Sequence, residues 1–380
     1  MKNGKFNVCL DLQIGSTGKG LINSYLAWKH KPGIISSTNF PNAGHTSILP
    51  DGTKFVAKIL PSSAILNRID DYLPLVVIGA GAAFDINQLK KEMDECRNPT
   101  LYIHPRAGVI TQAHRDKESQ IAGGTKGIAS TMQGSGAFLA DKIMRGSDVS
   151  LAREYPELNH FTNLAWVDGD KLKTLEEQYL PTYLANKMSA GRTMLHEGSQ
   201  GFGLDINHGI EYPRCTSRSC TTTQFMTDMG VSPQFLGDVY GVIRPYPIRV
   251  GNVVEDGQVI GNSGGIYDDS AEITWEEVAK RSGCPEDLTK TELTTVTKRL
   301  RKVYEWSDTL FSRAVLVNGV TKVALNFANY IDWSCYGKNN WDDLGTKVHD
   351  WIKNLEDKHQ VEVALVGTGP RVDHVCDKYD

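Results

Sequence analysis

The stretch Leu12-Gln13-Ile14-Gly15-Ser16-Thr17-Gly18-Lys19-Gly20 constrains this chain more than any other segment. It follows an apolar run at 6–12 and leads into a helix-patterned run at 19–29, so it reads as the turn between a buried strand and a helix. Glycines let the backbone approach a ligand closely, the start of a helix offers free N–H groups, and Lys19 adds a positive charge. That combination suits phosphate. It departs from the Walker A pattern, because Gln13 stands where the first glycine belongs and Gly20 replaces the Ser or Thr. A plain glycine turn would carry the same local pattern, so this segment alone assigns no function.

Further strand-like runs fall at 33–37, 55–60, 73–78, 192–196, 239–243, 322–326 and 361–366, several of them apolar throughout. Strands covered on both faces have that pattern. Helix-like runs at 87–95, 137–144, 171–188, 275–282, 305–317 and 341–355 alternate with them. The order predicts an α/β protein: one large domain over residues 1–380, with a mostly parallel central sheet flanked by helices. Glycine-rich segments at 122–136, 198–209 and 257–265 read as long binding loops rather than domain boundaries.

Hydrophobic residues make up 40% and charged residues 23% of the 380, which excludes a disordered or fibrous chain. A net charge of −4 with no long like-charged run argues against a nucleic-acid polymer or a membrane surface as partner. The longest apolar stretch, 72–84, is broken by Pro74, Gly79 and Gly81. The seven scattered cysteines form no Cys-x-x-Cys pair, and no secretory pattern opens the chain. Reduced thiols and a cytoplasmic setting are the expectation.

A second loop, Asn42-Ala43-Gly44-His45-Thr46, follows the second strand, and His45 there is a candidate proton donor. Paired with the first loop, it resembles adenylosuccinate synthetase. The remaining motifs of that family follow in order: Ser130-Thr131 with Asp141, Lys142 and Arg145, then His196-Glu197-Gly198-Ser199-Gln200-Gly201. After these come Leu204-Asp205-Ile206-Asn207-His208-Gly209, Tyr212-Pro213 with Thr216, Arg249-Val250-Gly251, residues 294–303, and Gly367-Thr368-Gly369-Pro370. The resemblance runs from about Cys9 to Arg371 and implies a P-loop-NTPase-like fold.

Two positions depart from the family. Its first loop carries an aspartate that takes the purine N1 proton and ligates magnesium; here that position is Ser16, and a serine hydroxyl is no base at neutral pH without an activator. Where the family reads guanine with a carboxylate, this chain has Asn329, whose mixed donor and acceptor edge suits adenine. Both changes resemble the bacteriophage branch of the family, which makes the precursor of 2,6-diaminopurine DNA from dGMP. The implied reaction joins L-aspartate to dGMP at the expense of ATP or dATP, with Mg2+, in a homodimer in the host-cell cytoplasm. An ordinary IMP-using synthetase and a non-catalytic nucleotide-binding paralogue remain the alternatives. The group that removes the N1 proton stays open among a phosphate oxygen, a water and Asp11.

The resemblance also implies a set of site residues. Ser16, Lys19 and His45 would be catalytic. Gly15, Ser16, Thr17, Gly18, Lys19, Gly20, Gly44, His45, Thr46, Arg301, Asn329, Gly367, Thr368, Gly369 and Pro370 would bind ATP. Ser16, Asn42, Ser130, Thr131, Arg145, Gln200, Leu204, Thr216, Val250, Gly251 and Arg299 would bind dGMP, Arg145 reaching across the dimer. Thr295, Val296, Thr297, Arg299 and Arg301 would bind aspartate, and Ser16 and Gly44 would approach the magnesium.

Overall fold

A computed structural model describes residues 1–69, 71–120, 128–146, 149–168, 171–294 and 298–380. Its centre is a nine-stranded sheet with β1 (Phe6–Asp11) in the middle position. On one side of β1 lie Leu236–Ile243, Lys322–Leu325, Val363–Gly367 and Val375–Asp377; on the other lie Met194–Gly201, β2 (Ile34–Ser37), Leu75–Ile78 and Leu101–Ile103. Every pairing is parallel except that of the edge strand Val375–Asp377.

All six residues of β1 are buried because the sheet is covered on both faces. Cys9 joins one core layer with Leu21, Ile22 and Leu26 of α1 (Lys19–His30) and Leu89 of the helix Ile86–Glu95. Phe6, Val8 and Leu10 join the other layer with Phe225, Phe311 and Ile352 from three further helices. Trp306, Phe311 and Trp351 belong to this second core, with ring centroids 5.2 Å apart in both pairs that Trp306 makes. Parallel strands direct their C-terminal ends to one edge of a sheet, and ligands of α/β proteins collect there. The glycine loop leaves β1 at that edge.

Most of the expected elements are present; the helices Gln112–Gln120 and Thr222–Met229 were not expected, and the helix expected at 341–355 begins at Thr346. The run at 171–188 is not one helix: Leu164–Asp168 and Lys171–Leu175 form an antiparallel hairpin, and the helix begins at Leu180. The period-two pattern Lys171-Leu172-Lys173-Thr174-Leu175 is a strand pattern that the longer helical run obscured. The strand expected at 192–196 continues to Gly201 and so carries Glu197 and Gln200 to the site. The strand expected at 55–60 is β4 (Lys54–Ala57), which pairs with β3 (His45–Ile48) outside the main sheet. Both edge strands, Leu101–Ile103 and Val375–Asp377, were too short to stand out. Among the described residues no helix is long and apolar enough to cross a membrane. All seven cysteines are free thiols.

Candidate active site

The loop after β1 is held from beneath. Asp11, at the end of the strand, accepts the backbone N–H of Gln13 at 2.8 Å and that of Thr17 at 3.2 Å. Burial pushes the Asp11 carboxyl up to about 6, against the opposing pull of Lys19 and the loop amides. Asp11 borders neither cavity described below; it braces the loop rather than facing a substrate. Gln13 exchanges two hydrogen bonds with the backbone of Arg244, at 3.0 and 3.1 Å, so the residue in the missing-glycine position clamps the loop to the neighbouring strand end. Asn326 donates to the carbonyls of Thr17 and Gly18, both at 3.1 Å. Gly18 caps α1 at φ 74°, and a side-chain carbon there would collide with the Asn326 amide. Only glycine combines that backbone with that approach.

His45 opens β3, and its ring is buried with Nδ1 2.9 Å from Oε1 of Glu197. Glu197 also accepts the Ser62 N–H at 2.5 Å and the Asn23 amide at 3.3 Å. Burial alone would raise the Glu197 carboxyl, but His45 and the Ser62 amide outweigh it and keep the group ionised. Burial, aided by Lys19, lowers the His45 pKa despite Glu197. The ring is therefore neutral at pH 7. The Glu197 carboxylate beside Nδ1 favours the proton there, Nε2 is buried without a hydrogen-bond partner among the described residues, and His45 borders the adjoining cavity.

Two cavities meet at the loop. The larger, of about 540 Å³, is lined by Ser16, Gly18, Lys19, Gly20, Gly44, His45 and Thr46. Arg301, Asn329, Gly369 and Pro370 are also among its lining residues. The smaller, of about 330 Å³, takes Gly15, Ser16, Asn42, Ser130, Thr131, Gln200, Leu204, Thr216 and Val250. Gln200 donates to the Asn42 side chain at 3.0 Å, so these two amides act as one polar unit. Ser16 and Arg301 border both cavities. A group passing between ligands in the two cavities would pass these residues.

Several expected residues stand elsewhere. Thr17 is buried under the loop, and Gly367 packs against the Asn326 side chain. The Thr368 hydroxyl donates to the Lys338 carbonyl at 2.6 Å, so Gly367 and Thr368 serve the fold while Gly369 and Pro370 face the cavity. Arg299 donates to the Gly251 carbonyl at 3.1 Å, and neither residue borders a cavity. Arg145 is exposed in a left-handed conformation at the C-terminal end of the helix Ser135–Met144, outside both cavities. Thr295, Val296 and Thr297 lie outside the described residues; the flanking Leu293 and Leu300 form an isolated antiparallel bridge.

Sequence reasoning missed the supporting charges. Arg244 is fully buried, 3.0 Å from Glu292, which also holds Arg301 at 3.3 Å and the Tyr330 hydroxyl at 2.9 Å. Burial would raise the Glu292 carboxyl, but Arg244 and Arg301 outweigh it and hold it below the ordinary glutamate value. Arg244 also lies 4.1 Å from the ring centre of Phe327, which borders the larger cavity. Glu197 was visible within its motif, but no local pattern marks it as the partner of His45.

Two adjoining cavities that meet at a glycine loop flanked by a buried lysine and histidine suit a nucleotide-using enzyme. The family model of adenylosuccinate synthetase matches residues 8–152 and 170–333, and the chain belongs to that family, ligases that form a C–N bond. It is 35% identical to the N6-succino-2-amino-2'-deoxyadenylate synthase of Vibrio phage phiVC8, covering 99% of this chain and 98% of that one. The adenylosuccinate synthetase of Methanococcus aeolicus is 30% identical, over 96% and 97% of the two chains. Among solved structures, the Cyanophage S-2L succinoaminodeoxyadenylate synthetase bound to dGMP and dATP superposes with a TM-score of 0.78 at 31% identity, over 98% and 95% of the chains.

Proposed function

We propose that this protein joins L-aspartate to C6 of dGMP, using ATP or dATP, to give 2-amino-2'-deoxy-N6-succinyladenylate, ADP or dADP, and phosphate. One observation carries the reading: at the junction of the two cavities, where the family pattern has an aspartate, stands the small neutral Ser16. That exchange removes a negative charge beside the purine and leaves room for a 2-amino group. The names and ligands of the phage relatives support it.

The chemistry is positioning and charge control. The purine 6-oxygen attacks the terminal phosphorus of the triphosphate, the nucleoside diphosphate leaves, and the aspartate amine then displaces phosphate from C6. The N1 proton departs in the first stage. Lys19 and the loop amides hold the transferring phosphoryl, and His45 Nε2 stands where it can donate to that group once protonated. Asn42 and Gln200 hold the base edge, and Arg301 neutralises charge between the cavities. Among the described residues no three His, Cys, Asp or Glu side chains converge on a cation. The donor set therefore fits magnesium held chiefly by phosphate oxygens and water, with Ser16 and Gly44 as its protein neighbours. Such an ion would neutralise phosphate charge. Aspartate would bind beside Arg301, at the segment 294–303, and the host-cell cytoplasm is the setting in which these substrates meet.

The test is to incubate the protein with aspartate, magnesium, and each pairing of dGMP or IMP with ATP or GTP. Turnover of dGMP should exceed that of IMP. ATP should outperform GTP, because a site lacking one buried hydrogen bond loses about 1–3 kcal/mol. Ser16→Asp should lower dGMP use. Faster turnover of IMP than dGMP by the unmodified protein would refute the assignment.

A further inference from the structure

Two polar atoms in the wall of the smaller cavity are buried without a hydrogen-bond partner among the described residues: the Ser135 hydroxyl and Nε of Arg214. Ser135 is itself 7% exposed and opens the ten-residue helix Ser135–Met144, whose first turn receives no side-chain cap. The loop bearing Arg214 lies against that turn, since a side-chain carbon on Gly136 would sit 2.9 Å from the Ser217 hydroxyl. Ser130, Thr131 and Thr216 border the same space.

The other charges of this wall are committed. Arg249, buried, donates to the carbonyls of Ser263 and Arg214, and Arg301 is held by Glu292. Glu118 accepts the Gly134 amide and, at 3.3 Å, the Ser130 hydroxyl. Arg214 pairs with Glu211, which is 40% exposed and can turn to water. Arg214 is thus the cation of this wall that can address a ligand without opening the core. Unpartnered donors at a helix start, hydroxyls and a guanidinium together suit a phosphate monoester.

We propose that Arg214 and Ser135 bind the phosphate of the nucleoside monophosphate, so that each subunit supplies its own cation to that group in addition to any arginine lent by a partner. This deepens the preceding assignment and rests on the smaller cavity being the monophosphate site. The sequence did not suggest it: Arg214 lies between Pro213 and Cys215, where no phosphate-binding pattern marks it.

The experiment is calorimetric binding of dGMP and of deoxyguanosine to the unmodified protein and to Arg214→Gln, Arg214→Lys and Ser135→Ala. Arg214→Gln should weaken dGMP binding about 10–100-fold, the loss of one charge-assisted contact, and leave deoxyguanosine unchanged. Arg214→Lys should recover part of it, Ser135→Ala should cost less, and KM for ATP should stay put. Equal dGMP affinity in Arg214→Gln would overturn the proposal, as would a parallel loss of dGMP and deoxyguanosine. Should Arg214→Gln melt early, Arg214→Lys and Ser135→Ala decide the matter alone. IMP carries the same phosphate. A protein that preferred IMP would refute the assignment of substrate yet still show the Arg214 loss with IMP.

Discussion

His45 is neutral in the free protein because burial and Lys19 outweigh Glu197, yet a neutral ring with its proton on Nδ1 has nothing to donate from Nε2. An arriving triphosphate brings negative charge to the cavity that His45 borders, and negative charge raises a histidine pKa. Triphosphate binding should therefore be accompanied by uptake of up to about one proton near neutral pH. Calorimetry in buffers of different ionisation enthalpy measures this directly, and the uptake should vanish in His45→Asn. In Glu197→Gln it should shrink, because the anion that helps to hold a proton on the ring is gone. Turnover should fall in both variants by about 10²-fold or more, the usual scale for a positioned acid. Uptake that persists in His45→Asn would assign the proton to another group.

Two neighbouring strands carry opposite pH responses. His196, on the strand beside β1, is fully buried between Phe6 and Phe225 with Nδ1 2.9 Å from the Ser36 hydroxyl, and burial lowers its pKa from 6.5 to about 3. The unfolded chain thus binds a proton that the folded chain refuses, and stability falls as pH drops below 6.5, at about 1.4 kcal/mol per pH unit. Asp11, at the end of β1, has its pKa raised from 3.8 to about 6. Its contribution is fully present below 3.8 and is lost as pH rises through 6, so the two slopes offset each other between those values. Denaturant midpoints of Asp11→Asn should consequently drop more steeply with acid across pH 4–6 than those of the unmodified protein. Removing one acceptor from the Gln13 and Thr17 amides should also cost about 1–3 kcal/mol at neutral pH. Parallel acid slopes in the two proteins would show that Asp11 does not titrate in this range.

Across the whole molecule, the end of the helix Ser135–Met144 is conspicuous because Ile143 and Met144 are 75% and 78% exposed beside the exposed Arg145. A two-fold contact would cover these apolar residues and carry Arg145 into the partner's smaller cavity. Arg145→Leu should then weaken dGMP binding by about ten-fold or more while the fold stays intact. Mixing it with a Lys19→Ala variant should restore part of the activity, since the Arg145→Leu chain keeps its phosphate loop and borrows Arg145 from its partner. Sedimentation at assay concentration should show a dimer. Full activity from a monomer would remove the shared site.

Local pattern was enough for most of the central sheet, the glycine loop and the family: apolar strands, a strand-to-helix turn, and motifs in a fixed order. It also exposed Ser16 and Asn329, since each stands at a position where the motif expects a different side chain. Tertiary structure decided what those motifs touch. Asp11, free to face a substrate on sequence grounds, is taken up by two loop amides. Glu197 meets His45 from a strand far along the chain, and Arg244 meets Glu292 from 48 positions away. Burying a charge is costly unless a partner meets it, so these residues are placed by long-range packing rather than by local periodicity. The Ser135 hydroxyl and Nε of Arg214 are the opposite case: only the folded chain shows which buried donors lack a partner among the described residues.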